Sequence, residues 1–105
     1  MSVEGNAAPR VSDVVQQIVG CKWMVSVLSS IRAGIQRPGA LERACTGIST
    51  KVLNERLAKL VRFGVLERRA FAEIPPRVEY SLTEKGHRLL PILDAIEDLE
   101  REFGD

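Results

Sequence analysis

The sequence predicts a mainly α-helical domain that carries one small β-hairpin. Three observations predict it. Apolar residues recur at helical spacing along most of the chain. Gly20, Gly34, Gly47 and Gly64 cut that pattern into short segments. Two β-like runs, 65–72 and 77–82, flank Glu73-Ile74-Pro75-Pro76. Proline cannot donate to a strand ladder, so it suits that turn. At 105 residues the chain is one domain with one modest core.

Residues 1–10 are expected to form a loosely attached tail. Ser12 is placed to cap a first helix whose apolar stripe is Val11, Val14, Val15, Ile18 and Val19. A second helix is expected over 22–33, with Trp23, Met24, Val27, Leu28 and Ile31 on its buried face and Trp23 as a core anchor. Residues 35–37 read as a short strand pairing with the hairpin. Pro38 can open a third helix in its first turn, running to about Cys45.

Thr46-Gly47 then turns the chain into a fourth helix, for which Ser49 and Thr50 are good caps. Leu53, Leu57 and Leu60 line its inner face, while Lys51, Asn54, Glu55, Ala58 and Arg62 fall on the other. Gly64 ends it. After the hairpin, Thr83 is positioned to cap a long last helix. Its stripe is Leu89, Ile92, Leu93, Ile96, Leu99 and Phe103, with Asp94, Asp98 and Arg101 opposite. Pro91 lies inside that pattern and predicts a kink or a split.

The composition excludes several classes. No run approaches the roughly 18 apolar residues that span a membrane. The first ten residues contain no apolar leader core. Two cysteines, Cys21 and Cys45, make neither a disulfide framework nor a zinc site. A cytoplasmic protein is the simplest expectation. There is no glycine-rich phosphate loop, no nucleophile elbow and no metal-ligand spacing, so no enzyme, cofactor or metal is expected.

Net charge is only +1, but its distribution is uneven. Residues 49–77 hold seven basic and three acidic side chains, a net +4. Residues 92–105 hold six acids and one arginine, a net −5. A basic middle and an acidic end fit one face that meets phosphate and a tail that does not. A turn, a helix with a polar outer face and an arginine-bearing hairpin follow in the order of a winged helix-turn-helix. Such a module places a helix in the major groove of DNA and a hairpin on the flanking backbone or minor groove.

Candidate DNA contacts are Ser49, Thr50, Lys51, Asn54, Glu55 and Lys59 on the fourth helix, and Arg77 near the wing tip. Asn pairs with adenine through two hydrogen bonds, and Lys reaches guanine or phosphate. The N–H groups at the helix start can hold a backbone phosphate. Arg56 flanks the leucine stripe and fits a structural ion pair instead. Arg68 and Arg69 alternate across the strand, so at most one of them faces DNA. Cys45, at the helix-turn-helix turn, and Cys21 are the possible redox residues.

Specific motifs carry a resemblance. Gly20-Cys21-Lys22-Trp23 resembles the G-G-K-W opening of helix two in the HxlR family of bacterial regulators. Gly47-Ile48-Ser49, Lys51, Leu53, Arg56-Leu57, Leu60 and Gly64 are similar to that family's G-I-S-x-K-x-L-x-x-R-L-x-x-L-x-x-x-G pattern. Residues 75–83 resemble its P-P-R-V-E-Y-x-L-T wing signature, and Gly86 fits the glycine that follows. The resemblance spans about residues 11–103. It implies a sequence-specific transcriptional regulator that binds double-stranded DNA as a homodimer, on an inverted-repeat operator. It also implies a dimer interface built by the first and last helices.

Two places depart from the family. Arg37-Pro38-Gly39-Ala40-Leu41 stands where R-F-x-E-L is common, so the aromatic is missing. Ala8-Pro9 stands where electrophile-sensing members carry a cysteine before a proline.

The last-helix stripe has more apolar side chains than one small domain readily covers. Ile92, Ile96, Leu99 and Phe103 are therefore expected to meet Val11, Val15 and Ile18 across a two-fold axis. The alternative is a winged-helix module for protein–protein contact without DNA binding.

Overall fold

Short helices end where glycine lets the chain turn, and one hairpin projects from the helical core. The computed structural model describes residues 9–104. The elements are α1 (Val11–Gly20), α2 (Met24–Arg32), α3 (Pro38–Ala44), α4 (Thr50–Arg62), β1 (Leu66–Phe71), β2 (Arg77–Leu82) and α5 (Glu84–Phe103). Most of the expected tail, residues 1–8, lies outside the described residues.

α1 begins two residues earlier than its expected cap allows. Arg10 takes the cap position with extended backbone and no side-chain cap bond. Its carbonyl accepts from the Val14 N–H at 3.0 Å, which leaves Ser12 exposed inside the first turn. Val14 and Ile18 are fully buried on the inner line of α1.

α2 starts at Met24, two residues later than its apolar pattern predicts. Trp23 precedes it with φ of 79°, the one positive φ at a non-glycine residue among those described. Left-handed backbone at an L-residue costs about 1–2 kcal/mol. Packing holds it there: the half-buried indole lies against the core, and a Cβ on Gly47 would sit 3.6 Å from its Cη2. The strained residue therefore braces the turn before α4.

The strand expected over 35–37 does not form. One ladder-like bond remains, from the Tyr80 N–H to the Gln36 carbonyl at 2.8 Å. Pro38 starts α3 at once, so no further pairing can extend the ladder. Among the described residues the sheet is the two-stranded hairpin alone, with Leu66 opposite Leu82 and Phe71 opposite Arg77.

Thr83 caps α5 as expected, accepting from the Gly86 N–H at 3.0 Å. Its hydroxyl donates to the Gly64 carbonyl at 2.6 Å, tying the end of the wing to the end of α4. Gly86 is fixed by close approach: a Cβ there would collide with the Val65 carbonyl oxygen. Pro91 does not split the helix, which runs unbroken from Glu84 to Phe103. Both Pro91 and His87 are exposed, so water can take the carbonyl that proline leaves unpaired.

The core gathers Ile18, Met24, Leu28, Leu41, Leu53, Leu57 and Leu60, all nearly or fully buried. A bidentate pair closes its edge. Arg32 of α2 donates to both Asp94 oxygens of α5, at 2.9 and 3.0 Å. No single helix among the described residues is long and apolar enough to cross a membrane.

Candidate nucleic-acid interface

α3, the 45–49 turn and α4 form the helix-turn-helix. Gly47 turns with φ of +100°, a conformation in which other residues are strained. The Ile48 N–H returns to the Cys45 carbonyl at 3.0 Å. Ser49 then takes extended backbone, and its hydroxyl accepts from the Val52 N–H at 3.1 Å. That satisfies one of the free donors at the helix start.

Burial of Leu53, Leu57 and Leu60 decides which way α4 faces. Thr50, Lys51, Asn54, Glu55, Ala58 and Arg62 are exposed on the opposite side, and Lys59 is half-buried at its edge. Arg56 donates from Nε to the Lys22 carbonyl at 3.1 Å, so its structural partner is backbone and not a carboxylate. Thr50 does more than start the helix. Its hydroxyl donates to Oε2 of Glu42, one helix earlier, at 2.8 Å.

The wing uses its charges differently. Arg77, expected as its best DNA contact, is turned inward instead. Its guanidinium lies 3.0 Å from Glu73 and 3.4 Å from Glu79, and stacks 3.9 Å from the Phe71 ring centroid. Its Nε is buried without a partner among the described residues. Glu79 also meets Arg37 at 3.9 Å, which ties the wing to the start of α3. Two carboxylates already balance the Arg77 charge, so little of it is left for a phosphate.

Arg68 and Arg69 are exposed, because β1 is covered mainly at its base while β2 lies against the core. Arg69 pairs with Glu67 at 3.7 Å, two residues away on the same strand face. Arg68 has no ion pair among the described residues. Glu42 and Arg68 were not singled out by sequence. Alternation did bring Arg68 into view, but only the fold shows which of the hairpin's arginines are paired.

The outer flank is apolar. Val11, Val19, Ile92, Leu99 and Phe103 are exposed, with Phe103 at 74%. Val15 and Ile96 are half-buried beside them. Ile18 does not belong to this face: it is fully buried in the domain's own core. An open cleft of about 550 Å³ lies where Val11 and Val14 meet Leu89 and Ile92, with Lys85 and Arg88 at its rim. Cys45 is 4% exposed, with its Sγ 3.8 Å from the Ser30 hydroxyl. Cys21 is half-buried, and both cysteines are free thiols.

Known proteins share this arrangement. Residues 18–105 match the family described as HxlR-like helix-turn-helix. The chain is 42% identical over 89 residues to an uncharacterized HTH-type transcriptional regulator of Synechocystis, covering 85% of this chain and 66% of that one. The chain thus spans just under two thirds of that relative's length. It is 36% identical over 102 residues to the uncharacterized HTH-type transcriptional regulator YvaP of Bacillus subtilis, covering 97% and 94%. Among solved structures, diamide-treated YodB from B. subtilis superimposes with a TM-score of 0.78 at 27% identity, covering 89% and 92%. The putative HTH-type regulator ytcD gives 0.78 at 30%, covering 90% and 96%. The family match takes in the helix-turn-helix, the wing and α5 together. The chain belongs to the HxlR-like helix-turn-helix family of DNA-binding transcriptional regulators.

Proposed function

We propose that the chain binds an inverted-repeat operator as a homodimer, with residues 11–105 as one DNA-binding unit. α4 of each subunit enters a major groove. Thr50, Lys51, Asn54 and Glu55 face base edges, and Ser49 and Lys59 lie close to the backbone. The wing meets flanking phosphate chiefly through Arg68, since Arg77 is held inside the hairpin.

The observation that carries this reading is the outer face of α4. It is polar, exposed and opposite the buried leucines. The exposed apolar residues Val11, Ile92, Leu99 and Phe103, with Val15 and Ile96, support pairing through α1 and α5. Burying each such side chain is worth roughly 1.5–3 kcal/mol. Two-fold pairing places the half-sites about one helical turn apart, or a multiple of it.

Selection of bound fragments from a random DNA pool tests the reading. A two-fold symmetric consensus is expected, with affinity that falls steeply between two salt concentrations. Sedimentation at micromolar concentration is expected to show a dimer, which Ile96→Glu converts to a monomer. A pool that returns no consensus, bound without salt dependence, would leave a protein–protein module instead.

A further inference from the structure

A carboxylate held against the first residue of the basic helix α4 needs a reason. Glu42 is such a group. It has no arginine or lysine within ion-pair distance among the described residues. Its one hydrogen bond is the 2.8 Å contact from the Thr50 hydroxyl. A carboxylate only accepts, and a threonine hydroxyl has one proton and two lone pairs. The direction of the bond follows: Thr50 gives its proton to Glu42.

We infer that Glu42 makes Thr50 an obligate acceptor, so this position reads an exocyclic amine on a base. The inference rests on α4 being the helix that enters the major groove. Thr50 is exposed and one turn before Asn54, on the same face as that residue. With its proton committed inward, Thr50 shows the groove lone pairs alone. A phosphate, guanine O6 or thymine O4 is also an acceptor, and so finds no donor on that hydroxyl.

The Glu42 charge, one hydroxyl away, adds repulsion against each of them. Adenine N6 and cytosine N4 carry the donors that fit. The pair therefore works as a filter: amine-bearing bases are admitted and keto bases are refused. A free threonine hydroxyl would not discriminate, because it can rotate to donate or accept. Specificity at this point comes from α3, which itself touches no base in this scheme.

The test uses the full chain and the consensus it selects. At one position per half-site, the wild type is expected to prefer adenine or cytosine over guanine or thymine by about tenfold. Glu42→Ala frees the hydroxyl to rotate, so that preference is expected to fall to about twofold or less, with preferences at other positions kept. Thr50→Val removes the acceptor and is expected to lose the same preference, which also tests the idea should Glu42→Ala fail to fold.

Three outcomes overturn the inference. They are an unchanged base profile in Glu42→Ala, a uniform loss at all positions, or a profile changed by Thr50→Val alone. A wild type that selects no sequence overturns the DNA-reading assignment itself, and this inference with it.

Discussion

α4 and the wing each carry several cations, and they differ in what that charge is free to do. On α4, Lys51, Asn54 and Arg62 stand exposed on one face. The scaffold is handled underneath by leucines, and Arg56 is withdrawn onto the Lys22 carbonyl. On the wing, Arg77 is bound to Glu73, Glu79 and the Phe71 ring, while Arg69 meets Glu67. A helix can bury apolar residues on one side and leave its polar side unengaged. The hairpin packs Leu66, Val78, Tyr80 and Leu82 on the core, and its charged side chains pair with one another around that face. Counting basic side chains along the chain therefore overstates the wing more than it overstates α4.

The largest expected effect lies where the two elements join. Gly86 packs its Cα against the Val65 carbonyl, and Thr83 bonds to Gly64 beside it. Backbone cannot yield as a flexible side chain can. Gly86→Ala is expected to lower stability by roughly 3 kcal/mol, seen as an earlier midpoint in denaturant. A midpoint equal to wild type would show that wing and α4 are not tightly docked.

Next comes the freedom of the α4 face. Asn54→Ala is expected to relax base discrimination at one position per half-site, worth roughly 1–3 kcal/mol. Thermal stability should hardly change, because Asn54 lies off the leucine stripe. The comparison breaks if the variant keeps the wild-type ratio between selected and scrambled sites.

The wing is sharpened by a pair of substitutions. Arg77→Ala is expected to destabilise the fold by about 1 kcal/mol, through lost stacking and ion pairing, with the salt slope of DNA binding unchanged. Arg68→Ala is expected to do the reverse: the same thermal midpoint, with a slope reduced by about one unit. Equal slopes in both variants would mean that the wing touches no phosphate.

Much of the fold was legible because its signals are local. Ser49 and Gly64 bracket α4, and Thr83 opens α5, each through bonds to residues within a few positions. The leucine spacing named the buried side of α4 correctly. Signals that depend on distant partners were not legible. Helical spacing placed Ile18 on an apolar stripe, but only the fold shows that Ile18 faces inward while Val15 lies at the stripe's edge.

Position near the wing tip favoured Arg77 for DNA, yet its partners come from the turn and the paired strands. Glu42 lies eight residues before Thr50, in another helix, and no spacing rule joins them. The 35–37 segment has strand-like residues, but Pro38 beside it ends pairing after one bond.

The smallest expected effect concerns the flank, where neither base reading nor the wing is involved. The Arg32 hydrogen bonds hold the Asp94 carboxyl below the usual carboxylate range. The same bonds raise Arg32 further above neutrality. A carboxyl whose folded pKa is depressed adds stability above its unfolded pKa, near 4, and loses it as pH falls through the folded value. The pair is about half exposed, so its contribution is small and screened by salt. Asp94→Asn is therefore expected to melt slightly below wild type at pH 7, with the gap narrowing as pH falls below about 4, in low salt. Specificity for the selected operator should be unchanged. If the variant loses operator binding while keeping its melting temperature, α2–α5 docking sets the spacing of the two reading helices as well as local stability.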